Sequence, residues 1–296
     1  MTADILVIGD VMTDVIVRPH GPLLRGSDRA ATIRSMPGGS GANQAAWIGY
    51  LGGRVAFAGR VGAADAGAQA AELRRHGVVP HLAADDELPT GRLVTLLDPD
   101  GERSFLTDRG ANAALCRDDF PDALLEGVRL LHISGYSLFA EAPRAAVLEF
   151  AAAAGRRGVP VTFDAGSAGF LAETGAERFL AWTHGADTLF ANAAEADALA
   201  GCADPAGQFA RLAPHYQTVV IKRGAAGADA AARHGPIVAA AAASLDATDT
   251  TGAGDAFLAA FLLVRLAGGD LHACLAAGVR HGTIAAGLLG GRPPVA

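Results

Sequence analysis

Lysine is nearly absent from this chain of 296 residues: of its 24 basic side chains, only Lys222 is a lysine. That scarcity excludes chemistry built on a lysine cradle. A P-loop requires G-x-x-x-x-G-K-[ST], and Lys222 is followed by Arg223 with no such glycine pattern before it. The run Val219-Val220-Ile221-Lys222 has the look of a protein-kinase strand lysine, but the partner H-R-D and D-F-G motifs are missing. Schiff-base chemistry would rest on Lys222 alone.

Other absences narrow the field further. There are 3 cysteines, Cys116, Cys202 and Cys274, far apart and without C-x-x-C, so neither a disulfide framework nor a zinc knuckle is indicated. The 9 histidines are scattered without metal-binding spacing. Net charge is −7 and no Lys/Arg run occurs, which argues against nucleic acid or an anionic membrane as partner. The most apolar run, Ala256 to Val264, is about half a membrane span. The opening Met1-Thr2-Ala3-Asp4 lacks a basic and apolar leader, so a cytoplasmic location is expected. Aromatics make up 6% of the chain; Trp47 and Trp182 fall in helical patterns and read as core.

What is present suits one large folded unit, with 51% hydrophobic and 19% charged residues. Ile5–Ile8, Val55–Ala58, Leu130–Ile133, Val159–Phe163, Thr188–Phe190 and Val219–Ile221 read as buried strands. Ala42–Leu51, Ala66–His76, Pro143–Arg157, Ala176–Thr183, Ala193–Leu199, Ala253–Leu266 and Leu271–Leu289 read as helices. Buried strands alternating with helices predict an α/β fold: a three-layer, doubly wound, mostly parallel sheet over residues 1–296. Two helix-poor segments, about 10–36 and 90–107, predict a small inserted β-sheet lid. The second contains a hairpin around Asp98-Pro99-Asp100-Gly101.

Two glycine-rich helix starts carry the chemistry. In Asp249-Thr250-Thr251-Gly252-Ala253-Gly254-Asp255, small residues bare the first-turn N–H groups of an apolar helix, a place for an anion. Asp255 reads either as a helix-capping acid or as a base taking a proton from an attacking hydroxyl. In Pro37-Gly38-Gly39-Ser40-Gly41-Ala42-Asn43, the glycines again lead into a helix. The spacing fails G-x-G-x-x-G, so a dinucleotide is not indicated; tight backbone plus one amide suits hydroxyl recognition, and a plain turn remains the alternative.

Gly38–Ala45 and Asp249–Asp255 closely resemble the two signatures of the PfkB/ribokinase family of carbohydrate kinases. Ile8-Gly9-Asp10 with Asp14, Gly59–Gly62 with Asp65, Gly110–Leu115, Asn192–Glu195 and Lys222–Gly227 follow in family order, so the likeness spans nearly the whole chain. It implies an ATP- and Mg²⁺-dependent kinase acting on a hydroxyl of a sugar or sugar derivative. Asp255 would be the general base, and Gly252, Ala253 and Gly254 the anion hole. Asp14, Gly38, Gly39 and Asn43 would hold the acceptor; Asn192, Lys222, Gly224 and Gly227 would lie along ATP. Glu195 would organise Mg²⁺ through water. Asp249 and Thr251 fall where many relatives hold a monovalent cation such as K⁺. A homodimer through the lid is a further implication, consistent with the pairing hazard of an exposed hairpin edge.

The match has departures. Ser40 and Met12 stand where ribokinases commonly have Lys and Asn, so ribose is not the safe acceptor. A nucleoside kinase is the alternative, with Met12, Tyr136 and Phe139 as contacts for a base; a catalytically silent binding module is the minor one. Asp164 reads as a strand-end residue or a functional one. Arg103 and Arg109 read as solvated or dimer-face charges, or as contacts to an acidic or phosphorylated sugar.

Overall fold

Short buried strands set the architecture, because each presents one row of side chains to either side of a sheet. The computed structural model describes residues 3–23, 25–97, 103–245 and 249–295. The chain opens with β1 (Ile5–Ile8), β2 (Met12–Pro19), β3 (Ala31–Gly38) and α1 (Ser40–Tyr50). It continues through β4 (Val55–Gly62), α2 (Ala66–Arg75), β5 (Val78–Asp85), β6 (Gly91–Leu97) and β7 (Arg103–Asp108). Next come β8 (Leu130–Ile133), α3 (Glu141–Arg156), β9 (Val161–Asp164), α4 (Ala168–Thr174) and α5 (Ala176–Thr183). The last third holds β10 (Thr188–Asn192), α6 (Ala193–Ala200), α7 (Pro205–Leu212), β11 (Thr218–Lys222) and β12 (Ala228–Ala232). It ends with β13 (Val238–Ala240), α8 (Ala253–Leu266) and α9 (Leu271–Ala286).

The large sheet runs β13-β12-β11-β10-β9-β8-β1-β4-β5. Neighbours from β11 to β5 are parallel, and β12 and β13 are added antiparallel at one edge. Alternation along the strands separates two cores. Leu6, Ile8, Ile133 and Leu189 pack with α3, α5, α6 and α7, while Ile5, Val7, Phe57 and Phe190 pack with α1, α8 and α9. This is the expected three-layer α/β arrangement. The chain leaves β1 toward β4 and β5 and then returns to β8 on the other side of β1. Such a reversal opens a crevice at the carboxyl ends of the strands.

A smaller separate sheet has the order β3-β2-β6-β7, with β2 and β6 parallel and the outer pairs antiparallel. Its strands span 12–19, 31–38, 91–97 and 103–108, so β3 and β7 run slightly past the helix-poor segments. The turn expected at Asp98–Gly101 lies outside the described residues. Asn112, in the 3-10 turn after β7, ties this sheet to the crevice: its amide donates to the Val11 and Arg109 carbonyls and accepts from the Val11 N–H. Among the described residues no helix is long and apolar enough to cross a membrane.

Five elements, α4, α7, β5, β12 and β13, were not expected from the sequence pattern. Strand β12 reads Ala-Asp-Ala-Ala-Ala, a composition that favours helix; its place beside β11 overrides that preference. Strand β5 carries Pro80 and alternates in burial, as an edge strand can.

Phe261 fastens α8 to the sheet: fully buried, its ring meets Phe190 edge-on at 5.1 Å and stacks on Phe257 at 6.3 Å. Phe261→Ala is expected to lower stability by about 3–5 kcal/mol, read as an earlier midpoint in urea unfolding.

Candidate active site

The crevice at the carboxyl ends of β1, β9, β10 and β11 is a cleft of about 250 Å³, bounded by the starts of α1 and α8 and by the smaller sheet. Helix α1 begins at Gly39, which has no side chain to cap it. Asp10, just past β1, does that work instead. Its Oδ2 accepts the Ser40 N–H at 3.1 Å, and its Oδ1 accepts the Gly41 N–H at 3.2 Å and the Ser134 hydroxyl at 3.2 Å. One buried carboxylate thereby joins β1, α1 and the segment after β8.

Helix α8 also starts on glycine. Gly252 has φ 77°, and a β-carbon there would lie 2.3 Å from the Gly291 carbonyl oxygen, so no other residue fits. First-turn amides have no intrahelical acceptor, and this end of the helix therefore offers N–H donors and positive dipole. The single lysine stands at the same place: Lys222 Nζ is 3.0 Å from where a β-carbon on Gly254 would be.

Asp255 faces this corner from the first turn of α8. Oδ1 accepts the Ser40 hydroxyl at 2.8 Å, and Oδ2 accepts the Asn43 amide at 3.4 Å. Burial pushes its carboxyl up to about 7. The Ser40 bond and Lys222 oppose that rise, while the charges of Asp164 and Asp10 add to it. A carboxylate with this environment is a base near neutrality.

Asp14, on β2, is buried, and its Oδ1 has no hydrogen-bond partner among the described residues. Its carboxyl rises to about 6, first through burial, then through Asp10 and Asp249, against the pull of Arg292. Gly38 makes room for it: a β-carbon there would fall 2.1 Å from Asp14 Oδ1.

Asp164 closes the floor. It takes the Gly135 N–H at 2.9 Å and a hydrogen bond from the Gln44 amide, whose oxygen pairs with His132 at 3.0 Å. Burial alone would raise its carboxyl, but His132, Lys222 and Gln44 hold it below the ordinary value.

On the opposite side, Asn192 and Glu195 form a reciprocal cap on α6. Asn192 Oδ1 accepts the Glu195 N–H at 2.9 Å, and Glu195 Oε2 accepts the Asn192 N–H at 2.7 Å. Burial raises the Glu195 carboxyl, with Lys222 opposing. Glu195 faces the cleft with one oxygen still available.

Of the residues singled out by sequence, Asp14, Gly39, Asn43, Glu195, Lys222, Thr251 and Asp255 line this one cleft. Gly38 lies behind Asp14. Asn192, Gly224 and Gly227 are not part of the cleft wall, nor are Asp249 and Gly252 to Gly254. Asp249 is buried, its oxygens accepting the Thr251 N–H at 2.9 Å and the Gly290 N–H at 3.0 Å. Met12 and Tyr136 reach the cleft, whereas Phe139 packs against Phe170 and Phe179 outside it. Arg109 also lines it.

A family model described as pfkB family carbohydrate kinase matches residues 2–295. The chain belongs to that family. Its relatives include a fructokinase from Klebsiella pneumoniae, 31% identical over 88% of this chain and 84% of that protein. An ATP-dependent ribose-1-phosphate kinase from Halopiger xanaduensis is 31% identical over 97% and 93%. Among solved structures, the adenosine kinase from Sinorhizobium meliloti superposes with a TM-score of 0.89 at 26% identity, over 99% of this chain and 96% of that one.

Sequence reading of this carbohydrate kinase missed Asp10, Gln44, His132 and Arg292 as parts of the site. Arg292 is the most unexpected. It is buried, and donates from Nε to Asn43 Oδ1 at 3.3 Å and from Nη2 to the Gly38 carbonyl at 3.2 Å. Burial drops its own pKa to about 10, against the charges of Glu72 and Asp14. By taking the Asn43 oxygen, Arg292 orients the amide nitrogen toward Asp255. No periodicity marks Gly290-Gly291-Arg292-Pro293, so the chain end gave no signal.

Removing the charge in Arg292→Met is expected to raise the Asp14 carboxyl further above about 6. Carboxyl-labelled carbon NMR across a pH titration reads that shift; an unmoved Asp14 titration would contradict the coupling.

Proposed function

We propose that this carbohydrate kinase transfers the γ-phosphoryl group of ATP to a hydroxyl of a sugar or sugar derivative, with Asp255 as general base. The observation that carries the reading is one corner of the cleft. There a carboxylate poised near neutrality, the first turn of α8 and the Lys222 ammonium meet, and Asp14, on the smaller sheet, lines the same cleft.

Phosphoryl transfer needs positioning and charge neutralisation more than covalent help. Asp14 and Asn43 bind acceptor hydroxyls, and the Arg292 bond keeps Asn43 in one orientation. Asp255 accepts the proton of the attacking hydroxyl as the oxygen–phosphorus bond forms. The α8 amides and Lys222 stabilise the negative charge spread over the transferring group. The smaller sheet serves as a lid that excludes water, and Gly224 to Gly227 lie along the nucleotide.

Magnesium fits the residues present: the free oxygen of Glu195 is a hard ligand suited to Mg²⁺ held mainly by phosphates and water. No cluster of three or more metal-binding side chains occurs among the described residues, in keeping with that sharing. Glu195 would hold Mg²⁺ through water, and the ion would supply positive charge to offset that of the phosphates. A K⁺ ion near Asp249 and Thr251 belongs to the same reading and would be seen as K⁺-dependent turnover.

Tyr136 and Met12 on the cleft wall favour a second reading, a nucleoside acceptor whose base rests on them. An ADP-release assay over sugars, sugar derivatives and nucleosides separates the two, and no transfer to any acceptor would leave a silent binding module. We also place a homodimer interface on the smaller sheet, where Ile33, Phe105 and Leu106 are 62%, 58% and 61% exposed. Light scattering should give twice the chain mass, and a monomer from Ile33→Asp.

Asp255→Asn is expected to cut kcat by roughly 10²–10⁴-fold while retaining the fold. In the wild type, kcat/KM should fall below pH of about 7 as Asp255 takes up its proton. Stability moves the other way. The unfolded carboxyl titrates near 4, the folded one at about 7, so the unfolded chain holds fewer protons between them. Wild-type stability should therefore decline as pH rises through that window. Asp255→Asn should be the more stable protein at pH 8 and lose its advantage near pH 4, as followed by thermal unfolding.

A further inference from the structure

Arg109 lines the cleft, yet its guanidinium bonds to nothing among the described residues. It is half-buried, its Nε is sealed from solvent without a hydrogen-bond partner among the described residues, and its Cζ lies 6.0 Å from the centroid of the Tyr136 ring. The adjacent carboxylate, Asp108, is turned away to the Gly110 N–H at 3.0 Å. A guanidinium is a planar fork of five donors, and burying part of it unmatched is unfavourable unless something enters to meet it.

The carboxylates of the cleft do not meet it. Asp10 is occupied by Ser40, Gly41 and Ser134, Asp164 by Gln44 and Gly135, one Glu195 oxygen by Asn192, and Asp255 by Ser40 and Asn43. Asp14, whose Oδ1 is itself without a partner among the described residues, makes no hydrogen bond to the guanidinium. Lys222 sits against the start of α8, where the transferring phosphoryl group belongs. Arg109 follows β7 of the smaller sheet, where Leu93 pairs with both Thr107 and Asp14 and Met12 also lines the cleft. That side offers apolar surface, the Thr107 hydroxyl, the Asp14 carboxylate and this one cation, 6.0 Å from the Tyr136 ring.

We propose that Arg109 is the subsite for an anionic substituent, a carboxylate or a phosphate, on the acceptor. The acceptor is then a sugar acid or a sugar phosphate: Asp14 takes its hydroxyl and Arg109 its charge, a pairing no neutral sugar completes. The assignment rests on the kinase reading of the same cleft. It differs from that reading in what it requires, because binding of the anionic acceptor needs neither ATP nor Asp255.

The test uses the whole chain and a panel of five- and six-carbon sugar acids and sugar phosphates, each beside its neutral parent. Thermal shift without nucleotide reads binding, and ADP release with ATP and Mg²⁺ reads transfer. At least one anionic compound should raise the wild-type melting temperature more than its neutral parent, and its kcat/KM should exceed the parent's by roughly 10-fold or more. Arg109→Gln should raise KM for that compound by roughly 10–100-fold and collapse the anionic preference toward one. Arg109→Lys, which keeps the charge but loses the fork, should fall between and guards against a variant that misfolds. If no anionic compound shifts the wild-type melting temperature, if neutral parents are preferred, or if the preference survives in Arg109→Gln, the subsite is overturned. Anionic thermal shifts that vanish in Arg109→Gln without any ADP release would uphold the subsite and reject the kinase reading.

Discussion

The three hydrogen bonds accepted by Asp10 are the constraint on which the site depends. They fix the amino end of α1 to the carboxyl end of β1 and to Ser134 beyond β8, at the point where strand order reverses. Because α1 starts on glycine, no local side chain holds its first turn. Ser40 and Asn43, both in that turn, are the groups that contact Asp255. By holding that turn, Asp10 sets the position of the two groups that bond to Asp255.

The chain end completes what Asp10 begins. Gly291 fills the space a side chain on Gly252 would need, its carbonyl accepts the Trp47 indole N–H at 3.0 Å, and Arg292 braces Asn43 and Gly38. One short segment therefore contacts both glycine-rich helix starts. The lone lysine gains meaning in the same way. A nearly lysine-free composition excludes a P-loop, but not phosphate chemistry: the one ammonium lies at the start of α8, where a single charge and a helix terminus act together.

The parallel sheet was legible because short, mostly apolar strands of three to five residues alternate with helical stretches, and family membership was legible in the two glycine-rich runs. Asp255, Asn43 and Asp14 were singled out because they belong to those motifs or stand beside them, and the structure brings all three to one cleft. What stayed hidden shares a cause. The alanine strand β12 has helical composition and is strand only through its neighbour. Helix α7 did carry a signal, Asp204 before Pro205, with Asp204 accepting the Gly207 N–H at 2.7 Å. Arg292 and the Gln44–His132–Asp164 network are long-range pairings with no local spacing to announce them.

The cleft wall carries Asp10, Asp14, Asp164, Glu195 and Asp255. So many carboxylates in one place would repel one another, and the fold resolves this by unequal treatment. Asp164 is surrounded by donors and held below its ordinary pKa, while Asp10 spends its oxygens on backbone and hydroxyl donors. Asp14 and Asp255 rise toward neutrality chiefly through burial, with the neighbouring carboxylates adding to it. Under the proposed function the division follows roles: Asp10 and Asp164 build the site, while Asp14 and Asp255 meet the acceptor. Arg109, whose guanidinium has no hydrogen-bond partner among the described residues, is the cationic counterpart in the same cleft. The chemistry of the missing partner can be read from which groups the fold leaves unmatched.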